Sequence, residues 1–96
     1  MAGPTPRTYS QFERELFCAL VKASNYGAVG AVEVSKAAGE RGLDLEGKEV
    51  WMREAVASLV SQNFIEIFST PGQETWVTVK GKGLKHAQDI CSGNPP

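Results

Sequence analysis

The sequence is short of the side chains on which most protein chemistry depends. It holds one histidine, His86, and two cysteines, Cys18 and Cys91, far apart and at no metal-ligand spacing. With so few ligands a structural zinc site is not expected. It also lacks an excess of either charge: 10 Lys and Arg against 11 Asp and Glu give a net charge of -1. That balance argues against a protein that holds a phosphate backbone by bulk electrostatics, although local patches matter more than the sum. No apolar run approaches the roughly 20 residues needed to span a bilayer, and the opening MAGPTPRTYS has no signal-peptide core. Internal repeats and a dividing linker are missing too. The expectation is one soluble, intracellular, cytoplasmic domain with reduced thiols, in which Cys91 is a mobile tail thiol.

What is present is a sequence of short amphipathic segments. Residues 1–9 are small, polar and carry Pro4 and Pro6, and read as a flexible segment before a single domain over 10–91. Ser10 and Glu13 have the spacing of a capping box, which predicts a helix from about Gln11. Phe12, Leu16, Ala19, Leu20 and Ala23 recur at steps of three and four, and Phe17 and Val21 widen that stripe. SNYGAVG then interrupts it with two glycines. AVEVSKAAGERG, residues 31–42, predicts a second helix with Val34, Ala37 and Ala38 inward and Glu33 outward; its first residues also suit a very short strand. After the GLDLEG turn, a third helix is predicted from Gly47 or Lys48 to Gln62, with Met52, Ala55, Val56, Leu59 and Val60 as its inner stripe.

Past Asn63 the period shortens. FIEIFS and TWVTV, separated by the turn residues of TPGQE, predict a β-hairpin, with Phe64 and Phe68 in or near the core. A last short helix carries Leu84, Ala87 and Ile90 on one side, and its Gly81 and Gly83 weaken the first turn. Residues 92–96 read as a frayed tail. The predicted class is mainly α with a β-hairpin, in the order α-α-α-β-β-α.

That order resembles the winged-helix superfamily, in particular small bacterial and archaeal regulators. AVASLVSQNFIEI, residues 55–67, is similar to the end of a recognition helix turning into the first wing strand, and WVTVKGKGLKHA, residues 76–87, to the return strand and following helix. The likeness spans about residues 10–90. It implies a DNA-binding transcriptional regulator acting as a homodimer, with the first and last helices available for the seam. It further implies groove-facing Lys48, Glu49, Arg53 and Ser58, extended by Ser61 and Gln62, with a wing tip of Thr70, Gly72 and Gln73. The chain departs from a strong DNA binder in having Glu46, Glu49 and Glu54 on or beside that helix and no Lys or Arg at the wing tip.

The only basic cluster is Lys80, Lys82 and Lys85 beside His86, a phosphate contact, a site for an acidic partner, or a solvated face. KGKG lacks the glycine spacing and the Lys-Ser/Thr pair of a phosphate loop, so no cofactor is expected. The alternative to DNA is a winged-helix module that binds protein through Trp51, Glu54 and Trp76. Each tryptophan also reads as cover for the joint between helix and hairpin. Catalysis is not expected: His86 has no carboxylate or nucleophile at a meaningful spacing, and Glu13 and Glu15 diverge around their helix.

Overall fold

Thr8 opens the first helix. Its hydroxyl accepts the Gln11 N–H at 3.1 Å while the Gln11 side chain accepts the Thr8 N–H at 3.0 Å. The reciprocal box therefore uses Thr8 and Gln11 in place of the expected Ser10 and Glu13, and helix α1 runs Tyr9–Ala23. A computed structural model describes residues 8–43, 45–69 and 75–91. In chain order these form α1, a two-residue strand β1 (Val32–Glu33), α2 (Val34–Glu40), α3 (Glu49–Ser61), the hairpin strands β2 (Ile65–Ser69) and β3 (Thr75–Val79), and α4 (Gly81–Ile90). The expected order holds. The short strand read as an alternative at the start of the second helix is also present, and it converts the hairpin into a three-stranded antiparallel sheet of order β1-β3-β2. Glu33, expected to point outward, caps α2, and its carboxylate accepts the N–H groups of Ser35 and Lys36.

The apolar stripe of α1 explains its central place. Phe12, Leu16, Phe17, Leu20 and Val21 are all essentially sealed from solvent, and α1 packs against each of the other three helices. A side chain of that size contributes roughly 1.5–3 kcal/mol when fully buried. Across the sheet the pleat sends Val32, Val77, Ile65 and Val79 into the same core. Phe68 lies on the other face and is 47% exposed, which corrects the expectation of a core residue. Strand alternation allows only one of Ile67 and Phe68 to face inward, and Ile67 follows Ile65.

Two features of α4 were not anticipated. Gly83 does more than loosen a turn: a Cβ there would lie 2.3 Å from the Phe64 carbonyl oxygen. The helix can approach the α3–β2 corner only because that position is bare. In addition, Cys91 is no tail thiol. α4 returns along α1 and brings the Cys18 and Cys91 Cα atoms to 5.6 Å, where the two sulfurs form a disulfide. Sequence distance concealed the pairing, since 73 residues separate the two positions.

Gly83→Ala should lower stability by about 1–3 kcal/mol through overpacking. Gly81→Ala, where an added Cβ meets nothing within 4 Å, should be neutral or stabilising by up to roughly 1 kcal/mol. Urea unfolding of both variants separates packing from propensity, because equal effects would show that helix propensity alone is at work. Reducing the disulfide should lower stability by about 2–4 kcal/mol, and an unfolding midpoint indifferent to reductant would show that the bond does not form in solution.

Candidate functional site

The third helix and the hairpin diverge from the Phe64 corner and leave a groove between them. Met52, Arg53, Val56 and Ala57 line one wall and Ile67 and Thr75 the other, enclosing about 170 Å³. The wall is mostly apolar because α3 turns the flank of its inner stripe toward the sheet while Ile67, 39% exposed, continues the inward row of β2 beyond the core. Val50, at 62% exposure the most open large apolar residue among the described residues, extends the same helix surface toward solvent. Glu49 stands one turn before Arg53 on one stripe, a spacing at which opposite charges attract.

The residues that sequence resemblance placed on a reading surface occupy several environments. Glu49, Arg53, Glu54, Ser61 and Gln62 are exposed and Lys48 is half-buried at the helix N-cap. Ser58 turns toward α1, where its hydroxyl donates to the Glu13 carboxylate at 3.2 Å. The Gln62 amide folds back to donate to the Ser58 carbonyl and hydroxyl oxygens at 3.2 and 3.0 Å. Thr70, Gly72 and Gln73 lie outside the described residues.

The lysines of α4 gather at the other end of α3. Lys80 reaches the Asn63 side-chain oxygen at 3.5 Å, and the Lys82 ammonium is 5.8 Å from the centre of the Phe64 ring. Lys82 and Lys85 are exposed. Along the axis, Arg53 and the Asn63 corner are separated by ~15 Å at the helical rise, so Arg53 and the basic cluster are not one patch. His86 stacks on Phe64 with ring centres 4.4 Å apart and planes at 13°, beside Phe17. It lines a second cleft of about 280 Å³ with Glu13, Arg14, Leu59 and Ile90. Both cysteines are held in the disulfide, which removes them as partners for a Cys-His pair. Among the described residues no group of three His, Cys, Asp or Glu side chains is placed to hold a metal, and no helix is long and apolar enough to cross a membrane.

The tryptophans differ in the same way. Trp51 packs edge-on against Tyr9 and Phe12 of α1, with ring centres 5.8 and 5.6 Å away. It covers the α1–α3 joint, and α1 replaces the hairpin as its neighbour. Trp76 stands in the middle of the sheet's outer face, opposite Glu33 on one side and Phe68 on the other. The sequence reading missed the groove itself. Its signal was present in Ala57, an exposed apolar residue of α3 that lines the groove beside Met52 and Val56.

Comparison of the chain with protein-family models, with curated proteins and with solved structures finds no match. A mostly helical domain with a β-hairpin, compatible with a winged-helix-like arrangement, is what the geometry establishes.

The α1–α3 joint generates a measurable consequence. Burial raises the Tyr9 phenol above its ordinary 10.0, and the charge of Glu13, a hydrogen bond to that carboxylate and the charge of Glu54 raise it further. A raised phenol stabilises the fold fully below the unfolded-state value and loses that contribution as pH climbs through the folded-state value. Stability should therefore fall above about pH 10, and Tyr9→Phe should remove the part of that fall which tracks the tyrosine absorbance change.

Proposed function

We propose that the chain is a winged-helix interaction module that docks a protein segment between its recognition helix, α3, and its wing, the β2–β3 hairpin. The observation that carries this reading is the chemistry of the groove. Met52, Val56, Ala57 and Ile67 make it apolar, and Arg53 is the cation among its lining residues. Exposed Glu49 and Glu54 outnumber that cation on the described surface of α3. A duplex approaching this face would set phosphates against carboxylates, with little cation charge in return. An amphipathic protein segment suits it better, with apolar anchors in the groove and a cation toward Glu49, one turn before Arg53.

A second reading, a DNA-binding transcriptional regulator acting as a homodimer, is favoured by a different observation. Lys80, Lys82 and Lys85 make a basic cluster at the α4 start, with Lys82 and Lys85 exposed. Two copies would double that charge on a duplex. Its geometric difficulty is the distance of the cluster from Arg53. Neither reading calls for catalysis or a cofactor. A cytoplasmic setting would keep Cys18 and Cys91 largely reduced, whereas an oxidising one would keep them joined.

Fluorescence anisotropy with two labelled probes, an amphipathic Leu/Lys peptide and a random-sequence duplex at several salt concentrations, separates the readings. Ala57→Arg fills the groove and adds a cation, so it should weaken peptide binding by tenfold or more, about 1.4 kcal/mol, while improving any duplex binding. Peptide binding unaffected by Ala57→Arg would remove the groove from consideration. Duplex binding that falls steeply with salt and weakens on Arg53→Ala or Lys82→Ala would establish the DNA reading in its place.

A further inference from the structure

Strand β2 is an outer strand of the sheet, since the order is β1-β3-β2. The phase of its hydrogen bonds is set at the corner, where the Lys80 N–H donates to the Phe64 carbonyl at 2.9 Å. Phe64 and Lys80 continue the register that puts Ile65 opposite Val79. Bonded pairs alternate along an antiparallel ladder. Glu66 and Phe68 therefore turn their backbone groups toward β3, while Ile65, Ile67 and Ser69 turn theirs toward the outer edge, where no strand pairs with them among the described residues. Side chains on both faces of this edge are apolar and accessible, Ile67 at 39% and Phe68 at 47%. Edge strands are commonly protected by lysine, proline or a bulge; Ile65–Ser69 has no lysine or proline, and Glu66 is its one charged residue.

We propose that β2 is the seam of a homodimer, pairing antiparallel with β2 of a second copy about a two-fold axis through Ile67. The backbone phase and the single charge select this arrangement together. Outward-facing residues must meet outward-facing residues, which leaves Ile67 against itself or a slip of two. The slip that sets Ile65 against Ile67 brings Glu66 opposite Glu66 with Cα atoms about 4.5 Å apart, and like charges directly opposite are destabilising. The opposite slip sets Ile67 against Ser69 and pairs only part of the strand. With Ile67 on the axis the whole of β2 is paired, about six backbone hydrogen bonds form, and each Glu66 stem lies along Phe68 of the second copy. The pairing also closes. The sheet's other outer strand, β1, is only two residues long, so a symmetric pair forms without further copies adding to it. A seam of this size falls below the roughly 1,200 Å² of a stable interface, and the dimer is weak and concentration-dependent. It requires neither DNA nor another protein.

Sedimentation equilibrium of the full chain, without nucleic acid or peptide, tests the seam up to about 1 mM. Ile67→Lys puts two ammonium groups on the axis and should weaken the dimer by tenfold or more, or about 1.4 kcal/mol. Phe68→Lys places an ammonium across from Glu66 of the second copy at both ends, and the dimer should be as tight or tighter. Association through a nonspecific apolar patch would instead weaken in both variants. In the wild-type protein, amide exchange at Ile67 should slow as concentration rises while exchange at Glu66 and Phe68 follows local opening alone. This readout stands even if a substitution unfolds the chain. A wild-type monomer across the whole range, a dimer indifferent to Ile67→Lys, or dissociation by Phe68→Lys in a folded protein would each overturn the proposal. Because no ligand is present, these outcomes are independent of whether the groove binds peptide or DNA.

Discussion

At the corner between α3 and β2 the Phe64 carbonyl accepts the Lys80 N–H at 2.9 Å, and the first turn of α4 lies directly over the same oxygen. Asn63 makes the corner possible by adopting a left-handed conformation with φ of 66°, open to asparagine at a smaller steric cost than to most residues. The Phe64 N–H is bonded back to the Leu59 carbonyl, and its ring contacts Phe17 and His86. One residue thus ends the α3 corner, starts the sheet, sets the phase of the β2–β3 ladder and seats the last helix. Buried backbone groups must find partners, so these four roles form a single constraint.

The groove and the open edge both follow from that corner. Because α3 and β2 are fixed where they meet, they separate with distance, and Ile67 is left on a wall facing Met52, Val56 and Ala57. The same ladder phase directs the backbone groups of Ile67 away from β3. The side chain of Ile67 therefore belongs to the groove while its main chain belongs to the edge. Arg53 stands beside the groove, and the basic cluster of α4 gathers at the Asn63 end of α3. Arg53 and that cluster therefore do not merge into one basic surface.

Local pattern was legible where one element decides its own form. The stripe from Phe12 to Val21, the inner face of Ala55, Val56 and Leu59, and the return strand Thr75–Val79 all appear as read. Periodicity reports which side of an element is apolar, and each of these elements has one buried side. Local chemistry was harder to read where two residues of similar kind compete. Thr8 and Ser10 both suit a cap, and the reciprocal bond with Gln11 decided between them. Phe68 has the composition of a core residue but the wrong parity. The candidate site was only partly legible, because a groove belongs to two elements at once and neither stripe predicts the angle between them.

The sequence by itself determined the order of elements, the faces they bury and the near balance of charge, because these depend on residue type and on neighbours within a few positions. Only the tertiary structure decided that Cys18 meets Cys91, that Gly83 must be bare beneath Phe64, that Ser58 turns to Glu13, and that the lysines of α4 stand apart from Arg53. Each of these is a contact between residues brought together by the packing of α1, α3 and α4. Such contacts depend on where whole elements cross, which side-chain spacing along one element does not encode.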